Sequence, residues 1–136
     1  AMGKFIFHVG DNGSALALKL VLNHFVAGMT ALLAEGLDLS QKLGVDTSVF
    51  TNVMNTSVVK SPMYDIKTPK MVTGDYTAQF PLKLLVKDLN YITQTAKKAG
   101  ADMPVQSLVR DLFSAANDKG YGEEDFSVIY RIVGKK

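Results

Sequence analysis

One run of residues limits what this chain can fold into. Ser14–Ala34 comprises twenty-one residues, and Lys19 is its one formal charge. The run is long enough for a transmembrane helix, but a lysine near its middle would cost about 2.5–3.5 kcal/mol on insertion scales, and further polar residues add to that cost. We therefore favour a central helix that its own domain or a partner chain buries. Glu35-Gly36 is predicted to end it.

Composition narrows the remaining classes. The chain has 136 residues, which suits one domain. Its 15 basic and 13 acidic residues nearly balance, so no strong positive potential would attract nucleic acid or anionic lipid. Without cysteine there is no disulfide, thiolate metal site or cysteine nucleophile, and a reducing compartment fits. Because no signal-peptide pattern follows Met2, we expect a cytoplasmic location. Ala1 precedes Met2, so residues 1–3 are predicted to be a cloning scar.

The remaining elements are predicted from local signals. Lys4–Val9 has the aromatic and branched side chains of a strand and ends at the turn 10–13. Capping residues and prolines then mark helix starts at Asp46, Ser61-Pro62, Pro81 and Pro104, and Gly122–Asp125 precedes a last short helix around 128–133. Apolar residues at helical spacing are predicted to face inward, namely Val49, Phe50, Val53, Met54, Leu82, Leu85, Val86, Leu89, Ile92, Ala96, Val105, Leu108, Val109, Leu112 and Ala116.

These elements predict an all-α fold, a helical bundle built around one long apolar helix and preceded by one orphan strand. An unpaired strand leaves backbone N–H and C=O groups unmet. We therefore expect Lys4–Val9 to belong to a sheet whose other strands lie outside this chain.

Lys19 is the strongest candidate for a catalytic residue. Two interpretations of this lysine stay open. It can lay its stem along apolar neighbours and keep its ammonium in water. Alternatively it lies in a cleft, where desolvation lowers the pKa of a lysine from about 10.4 toward neutrality and permits proton transfer, and Asn23 one turn on holds a substrate oxygen. At about 100° per residue, four polar residues fall in one stripe of the helix, namely Asn12, Lys19, Asn23 and Thr30.

Other patterns are weaker. The turn 10–13 joins a strand to a helix, but the sequence lacks Gly-x-Gly-x-x-Gly there, which favours a plain tight turn over a nucleotide site. Lys83 and Lys87 share a helix face, which is typical of solvated surface and less often of a phosphate or cofactor site. His8 and His24 have no further ligand at metal spacing, so packing roles and no metal are expected.

The motifs together resemble one known family. In chain order they are His8-x-Gly10, Gly10-x-x-Gly13, Lys19 with Asn23 at i+4, Phe80 and Lys87-Asp88-Leu89. They are similar to motifs of the C-terminal domain of β-hydroxyacid dehydrogenases, the 3-hydroxyisobutyrate dehydrogenase and glyoxylate/succinic semialdehyde reductase family. The resemblance covers the chain from about Phe5 onward.

That resemblance implies a fold and an activity. The helical domain would be of the 6-phosphogluconate dehydrogenase C-terminal type and span residues 13–136, and residues 4–12 would be the last strand and turn of an N-terminal Rossmann domain. The enzyme would use NAD or NADP to interconvert a small β-hydroxyacid and its aldehyde or keto acid. The helical domain would form a homodimer or homotetramer, and this chain would be nearly inactive alone.

The resemblance also implies roles for individual residues. Lys19 would be the catalytic proton-transfer group, and Asn23, Phe80 and Asp88 would contact the substrate. Lys87 would contact the cofactor. The alternative function is a non-catalytic helical module for dimerisation or partner binding.

Overall fold

The structure is a computed structural model that describes residues 5–134. This part of the chain forms six α-helices, one π-helical turn and one 3-10 helix. They are α1 (Ser14–Lys42), α2 (Thr47–Thr56), α3 (Pro62–Thr73), α4 (Leu82–Ala99), α5 (Pro104–Ala116), the π-helical turn (Asn117–Tyr121), the 3-10 helix (Phe126–Ile129) and α6 (Tyr130–Val133). The predicted all-α class is confirmed. The predicted cloning scar lies outside the described residues.

The predicted strand is not formed. Residues 5–10 have no regular secondary structure, and Ile6 is fully exposed. A strand needs a partner for its backbone groups, and residues 5–134 offer β pairing only in an isolated bridge between Pro81 and Asp125. The strand is therefore not formed in residues 5–10, for which the described residues hold no partner strand. That the segment pairs with a sheet of another domain stays a prediction.

The long helix α1 continues past its predicted end. A glycine inside a helix costs about 1 kcal/mol relative to alanine, yet Gly36 lies inside α1. An added Cβ there would come within 3.8 Å of the Phe50 ring, so α2 packs closely on this turn. Leu37 and Ser40 beyond it are buried, and this packing carries the helix on to Lys42.

The core lies between one face of α1 and the inner face of α4. The buried α1 residues Ala27, Ala31 and Ala34 are small, which lets the neighbouring helices approach closely. From α4, Leu85 and Leu89 are fully buried. The most extensive helix contact is accordingly the one between α1 and α4.

Most predicted helix starts are confirmed. The side chains of Asp46 and Ser61 accept backbone N–H bonds in the first turns of α2 and α3, as N-caps do. Pro104 begins α5. Gly74 and Gly100 follow α3 and α4 with φ of +73° and +69°, a left-handed conformation that ends helices.

Part of the predicted inward-facing set is exposed. Val49 and Val53 of α2 are 52% and 60% exposed, and Val105 and Leu108 of α5 are 61% and 73% exposed. Apolar periodicity identifies a face of a helix but not what covers it. Within residues 5–134, no element covers these four side chains. The prediction that they face the core is wrong.

An apolar stripe also runs along the outer side of α1. Its large side chains are between 42% and 72% exposed, and such a continuous apolar surface marks a site of interaction. α1 is the one described helix long and apolar enough to cross a membrane by length and composition, although core helices pass the same test. The outer stripe consists of Leu18, Val21, Leu22, Phe25, Leu32, Leu39 and Leu43.

A buried ion pair holds the segment before α4. The Lys67 and Asp125 side chains are 4% and 0% exposed, and Lys67 Nζ lies 3.0 Å from both carboxylate oxygens. The same carboxylate accepts the N–H groups of Gln79 and Phe80 and both donors of Ser127. Burial raises the pKa of Asp125, but the hydrogen bonds from Ser127 and Lys67 outweigh burial and hold the pKa below its usual value.

Candidate active site

Three of the predicted site residues meet between α1 and α4. Asn23 Nδ2 donates a 2.6 Å hydrogen bond to Asp88 Oδ2. Lys19 Nζ lies 3.5 Å from the same oxygen. One carboxylate of α4 therefore joins two side chains of α1 into a single polar cluster, across 65 residues of sequence.

The two helices place these side chains for simple geometric reasons. Lys19 and Asn23 are four residues apart, so they lie on the same side of α1 one turn apart. Ala27 comes one turn later and is fully buried, as is Leu89, which follows Asp88. The polar cluster thus lies at the edge of the packed interface between α1 and α4.

The side chains of the cluster differ in their exposure to solvent. The Asp88 side chain is 13% exposed, whereas that of Lys19 is 59% exposed. The desolvation that the proton-transfer interpretation requires is therefore not supplied by the described residues. The lysine presents its ammonium at the surface, where another domain or a ligand can cover it.

Lys87 and Phe80 stand apart from this cluster. Lys87 is exposed, and its ammonium lies 5.8 Å from the centre of the Tyr91 ring. The Phe80 ring packs edge-on against Phe126 with centroids 5.8 Å apart. Phe80 lies before the start of α4 at Leu82, whereas Asp88 lies six residues into the helix, about 9 Å along its axis from Leu82. Contact between Phe80 and a substrate therefore stays a prediction.

Lys87 is a suitable contact for a nicotinamide cofactor. Its exposed ammonium on α4 is adjacent in sequence to Asp88. A flexible, strongly hydrated ammonium of this kind binds phosphate or ribose oxygens as a point charge. Contact between Lys87 and a cofactor therefore stays a prediction.

The predicted polar stripe is only partly realised. Thr30 is fully buried, and its hydroxyl donates a 2.8 Å bond to the Val26 carbonyl within α1. Asn12 lies exposed in the turn before the helix. Of the four stripe residues, only Lys19 and Asn23 belong to the cluster, because Thr30 enters the core and Asn12 precedes the helix.

Sequence reasoning missed a second polar link at the same level. His24 was expected only to pack, but His24 Nδ1 lies 2.6 Å from Gln106 Oε1. Gln106 Nε2 in turn donates to the Leu89 carbonyl at 3.2 Å. The available signal was Gln106 itself, a polar residue three positions before Val109 on the buried side of α5. Among residues 5–134, no group of three His, Cys, Asp or Glu side chains could hold a metal ion.

Comparison with known proteins agrees with this geometry. A family model described as NAD-binding of NADP-dependent 3-hydroxyisobutyrate dehydrogenase matches residues 13–133. The chain belongs to this family. The resemblance predicted from the motifs is confirmed, and so is the predicted cofactor class of NAD or NADP, at the level of the 3-hydroxyisobutyrate dehydrogenase family.

Individual family members match along almost the whole chain. Glyoxylate/succinic semialdehyde reductase 2, chloroplastic, from Arabidopsis thaliana is 36% identical over 94% of it, and the mitochondrial 3-hydroxyisobutyrate dehydrogenase of Drosophila melanogaster is 30% identical over 99%. The crystal structure of a 3-hydroxyisobutyrate dehydrogenase from Salmonella typhimurium superposes with a TM-score of 0.90 over 97% of the chain, at 27% identity. The matches cover 36%, 44% and 47% of those proteins, so the chain spans less than half their length.

Proposed function

We propose that this chain supplies the proton-transfer half of the active site of an NAD(P)-dependent oxidoreductase. The enzyme interconverts a small β-hydroxyacid, of the 3-hydroxyisobutyrate type, and its aldehyde or keto acid. The observation that carries the proposal is that Lys19 and Asn23 both contact the same Asp88 oxygen, Oδ2. Proton transfer to or from a substrate hydroxyl needs a basic group within hydrogen-bond reach. An amide and a carboxylate beside that group can orient it and the substrate.

In the oxidative direction, Lys19 in its neutral form accepts the proton of the substrate hydroxyl while the C–H bond breaks. A nicotinamide cofactor would supply the hydride acceptor for this step. In the reductive direction, the Lys19 ammonium returns a proton to the carbonyl oxygen. Atoms and charge balance, because one proton and one hydride leave the alcohol and a C=O group remains.

Asn23 and Asp88 prepare this step without changing protonation. One Nδ2 hydrogen of Asn23 is engaged by Asp88, so the second stays available to donate to the substrate hydroxyl oxygen, whose own proton goes to Lys19. Asp88 in turn orients both α1 side chains. We assign cofactor contact to Lys87 and substrate contact to Phe80.

The proposal requires a cofactor domain beyond the described residues. We propose that residues 4–12 lead from an N-terminal Rossmann domain, and that the helical domain comprises 13–136. Closure of such a domain over α1 would desolvate Lys19, whose side chain is 59% exposed here. On this account the chain alone is nearly inactive, and a cytoplasmic location stays a prediction.

The experiment is an assay of the full-length protein that contains this chain. NAD and NADP are each tested with small 3-hydroxy acids and with glyoxylate and succinic semialdehyde. Lys19→Ala is expected to lower kcat by about 100-fold or more. The matched control is Lys42→Ala, since the pair of Lys42 and Asp38 lies on the same helix with 60% and 18% exposure. Loss of activity in both variants, or in neither, would reject the catalytic role of Lys19.

A second candidate is a non-catalytic module for dimerisation or partner binding. It is favoured by the outer stripe of α1, where Phe25 is 57% and Leu32 is 64% exposed. Association through the stripe is by itself compatible with catalysis, because the stripe and the cluster lie on different sides of α1. A full-length protein that associates through α1 yet reduces none of the test substrates would favour this candidate over the enzyme.

A further inference from the structure

A second link between α1 and α4 lies directly behind the Asn23–Asp88 hydrogen bond. It begins at His24, the residue after Asn23, and ends at Leu89, the residue after Asp88. Gln106 of α5 joins them, with Oε1 at 2.6 Å from His24 Nδ1 and Nε2 at 3.2 Å from the Leu89 carbonyl oxygen. The two links therefore connect the same pair of helices one residue apart on each.

The Gln106 amide has little freedom to do anything else. Its residue is 1% exposed and Leu89 is 0% exposed. Because Nε2 donates to the Leu89 carbonyl, Oε1 faces His24, which must then carry its proton on Nδ1. No buried side-chain polar atom in the described part of the chain lacks a partner. Loss of either bond would leave a buried polar atom unsatisfied, which proteins avoid.

We infer that His24 and Gln106 are positioning residues, which set the rotation of α1 and α4 at the level of the proposed site. On α1 the two links start from the successive side chains of Asn23 and His24, which point about 100° apart, and on α4 they end on the Asp88 carboxylate and the Leu89 backbone carbonyl. Core packing limits the rotation of both helices, and the second link restricts the remaining rotation at the level of the proposed site. This inference rests on the proposed function. Neither His24 nor Gln106 touches the reacting atoms, so both act through the positions of Asn23 and Asp88.

The test uses the full-length protein and three substitutions. Gln106→Met keeps an unbranched side chain of similar length but removes both hydrogen bonds. His24→Leu removes the Nδ1 donor, whereas His24→Asn places an amide N–H at nearly the same position as Nδ1. Tyr130→Phe is the matched control, because it removes a 2.7 Å bond between α6 and Gln41 of α1, about 27 Å along α1 from Asn23.

Gln106→Met and His24→Leu are expected to lower kcat by about tenfold, because small misplacements of reacting groups are costly. KM for the cofactor is expected to be unchanged. His24→Asn should recover most of kcat, and Tyr130→Phe should match the wild type. Folded Gln106→Met with wild-type kcat would overturn the inference, and so would a loss in His24→Asn as large as in His24→Leu. If Gln106→Met does not fold, the two His24 variants decide.

A structural readout separates this inference from the proposed function. In a crystal structure of Gln106→Met, the distance from Asn23 Nδ2 to Asp88 Oδ2 is expected to exceed 3.5 Å, the outer limit of a hydrogen bond. An unchanged bond would overturn the positioning role even in an active enzyme. If the Asn23–Asp88 bond is broken in Gln106→Met and the wild-type protein oxidises no hydroxyacid, the positioning role is supported and the proposed function is rejected.

Discussion

Removal of the buried Asp125 carboxylate should cost this domain most of its stability. Asp125 is fully buried and neutralises Lys67, whose side chain is 4% exposed. Its two oxygens also accept the backbone N–H groups of Gln79 and Phe80 and both donors of Ser127. Asp125→Ala would therefore leave the buried Lys67 ammonium without a counter-charge, with only Gln79 Oε1 as acceptor, and several further hydrogen-bond donors without an acceptor.

The magnitude follows from these contacts. Removing one partner of a buried ion pair costs about 3–5 kcal/mol, and each buried donor left without an acceptor adds about 1–3 kcal/mol. Asp125→Ala should thus lower the free energy of unfolding by about 5 kcal/mol or more, against a typical total of about 5–15 kcal/mol. Lys67→Met should cost less, about 3 kcal/mol, because the carboxylate keeps its bonds to Gln79, Phe80 and Ser127.

The assay is urea unfolding of the chain near neutral pH, followed by far-UV circular dichroism. The matched control is Glu123→Gln, which breaks the neighbouring Lys83–Glu123 pair, 50% and 79% exposed, and should cost about 0–1 kcal/mol. The expected order of destabilisation is Asp125→Ala, then Lys67→Met, then Glu123→Gln. The reasoning is refuted if Asp125→Ala lies within about 1 kcal/mol of the control.

Three further predictions concern acid sensitivity, capping and association. The pKa of Asp125 is held below 3.8, so its contribution to stability is complete above that value and is lost as pH falls through the lower folded pKa. The melting temperature of Asp125→Asn should accordingly fall less steeply than that of the wild type below about pH 4, and parallel curves would contradict this. Ser61→Ala removes the α3 cap and should cost about 1 kcal/mol in urea unfolding, whereas Ser107→Ala, as control, should change little. Finally, we propose that the outer stripe of α1 pairs two copies of the chain, so Phe25→Glu with Leu32→Glu should halve the mass of the full-length protein by light scattering. A monomeric wild type would count against that interface.

Local signals predicted where most helices begin and end. Asp46 and Ser61 satisfy N–H groups of their own first turns, and Gly100 ends α4 in the left-handed conformation that glycine adopts freely. Such features depend on a few neighbouring residues. Gly36 misled the same reasoning, because the side chain that packs against it, Phe50, belongs to another helix.

Burial was less predictable than helicity. The spacing of Val105 and Leu108 indicates an apolar face correctly, yet both are exposed. What covers a face depends on tertiary or quaternary neighbours, which periodicity does not encode. The same limit applies to the strand predicted over Lys4–Val9, whose β-type composition says nothing about a partner.

The site was predictable in part. The i+4 spacing of Lys19 and Asn23 places them on one side of α1, but only the packing of α1 on α4 brings Asp88 to them. The family resemblance named Asp88 as a substrate contact, whereas the structure places it as the acceptor that joins the other two. The Gln106 and Lys67 links were missed because their partners lie 17 to 82 residues away.

The central claim is that Lys19 moves the substrate proton. Its most direct test is the single-turnover rate of hydride transfer in the full-length protein, followed by nicotinamide fluorescence at saturating cofactor. Lys19→Ala should slow this rate by about 100-fold or more while the cofactor Kd stays at the wild-type value. A rate within about threefold of the wild type would contradict the assignment.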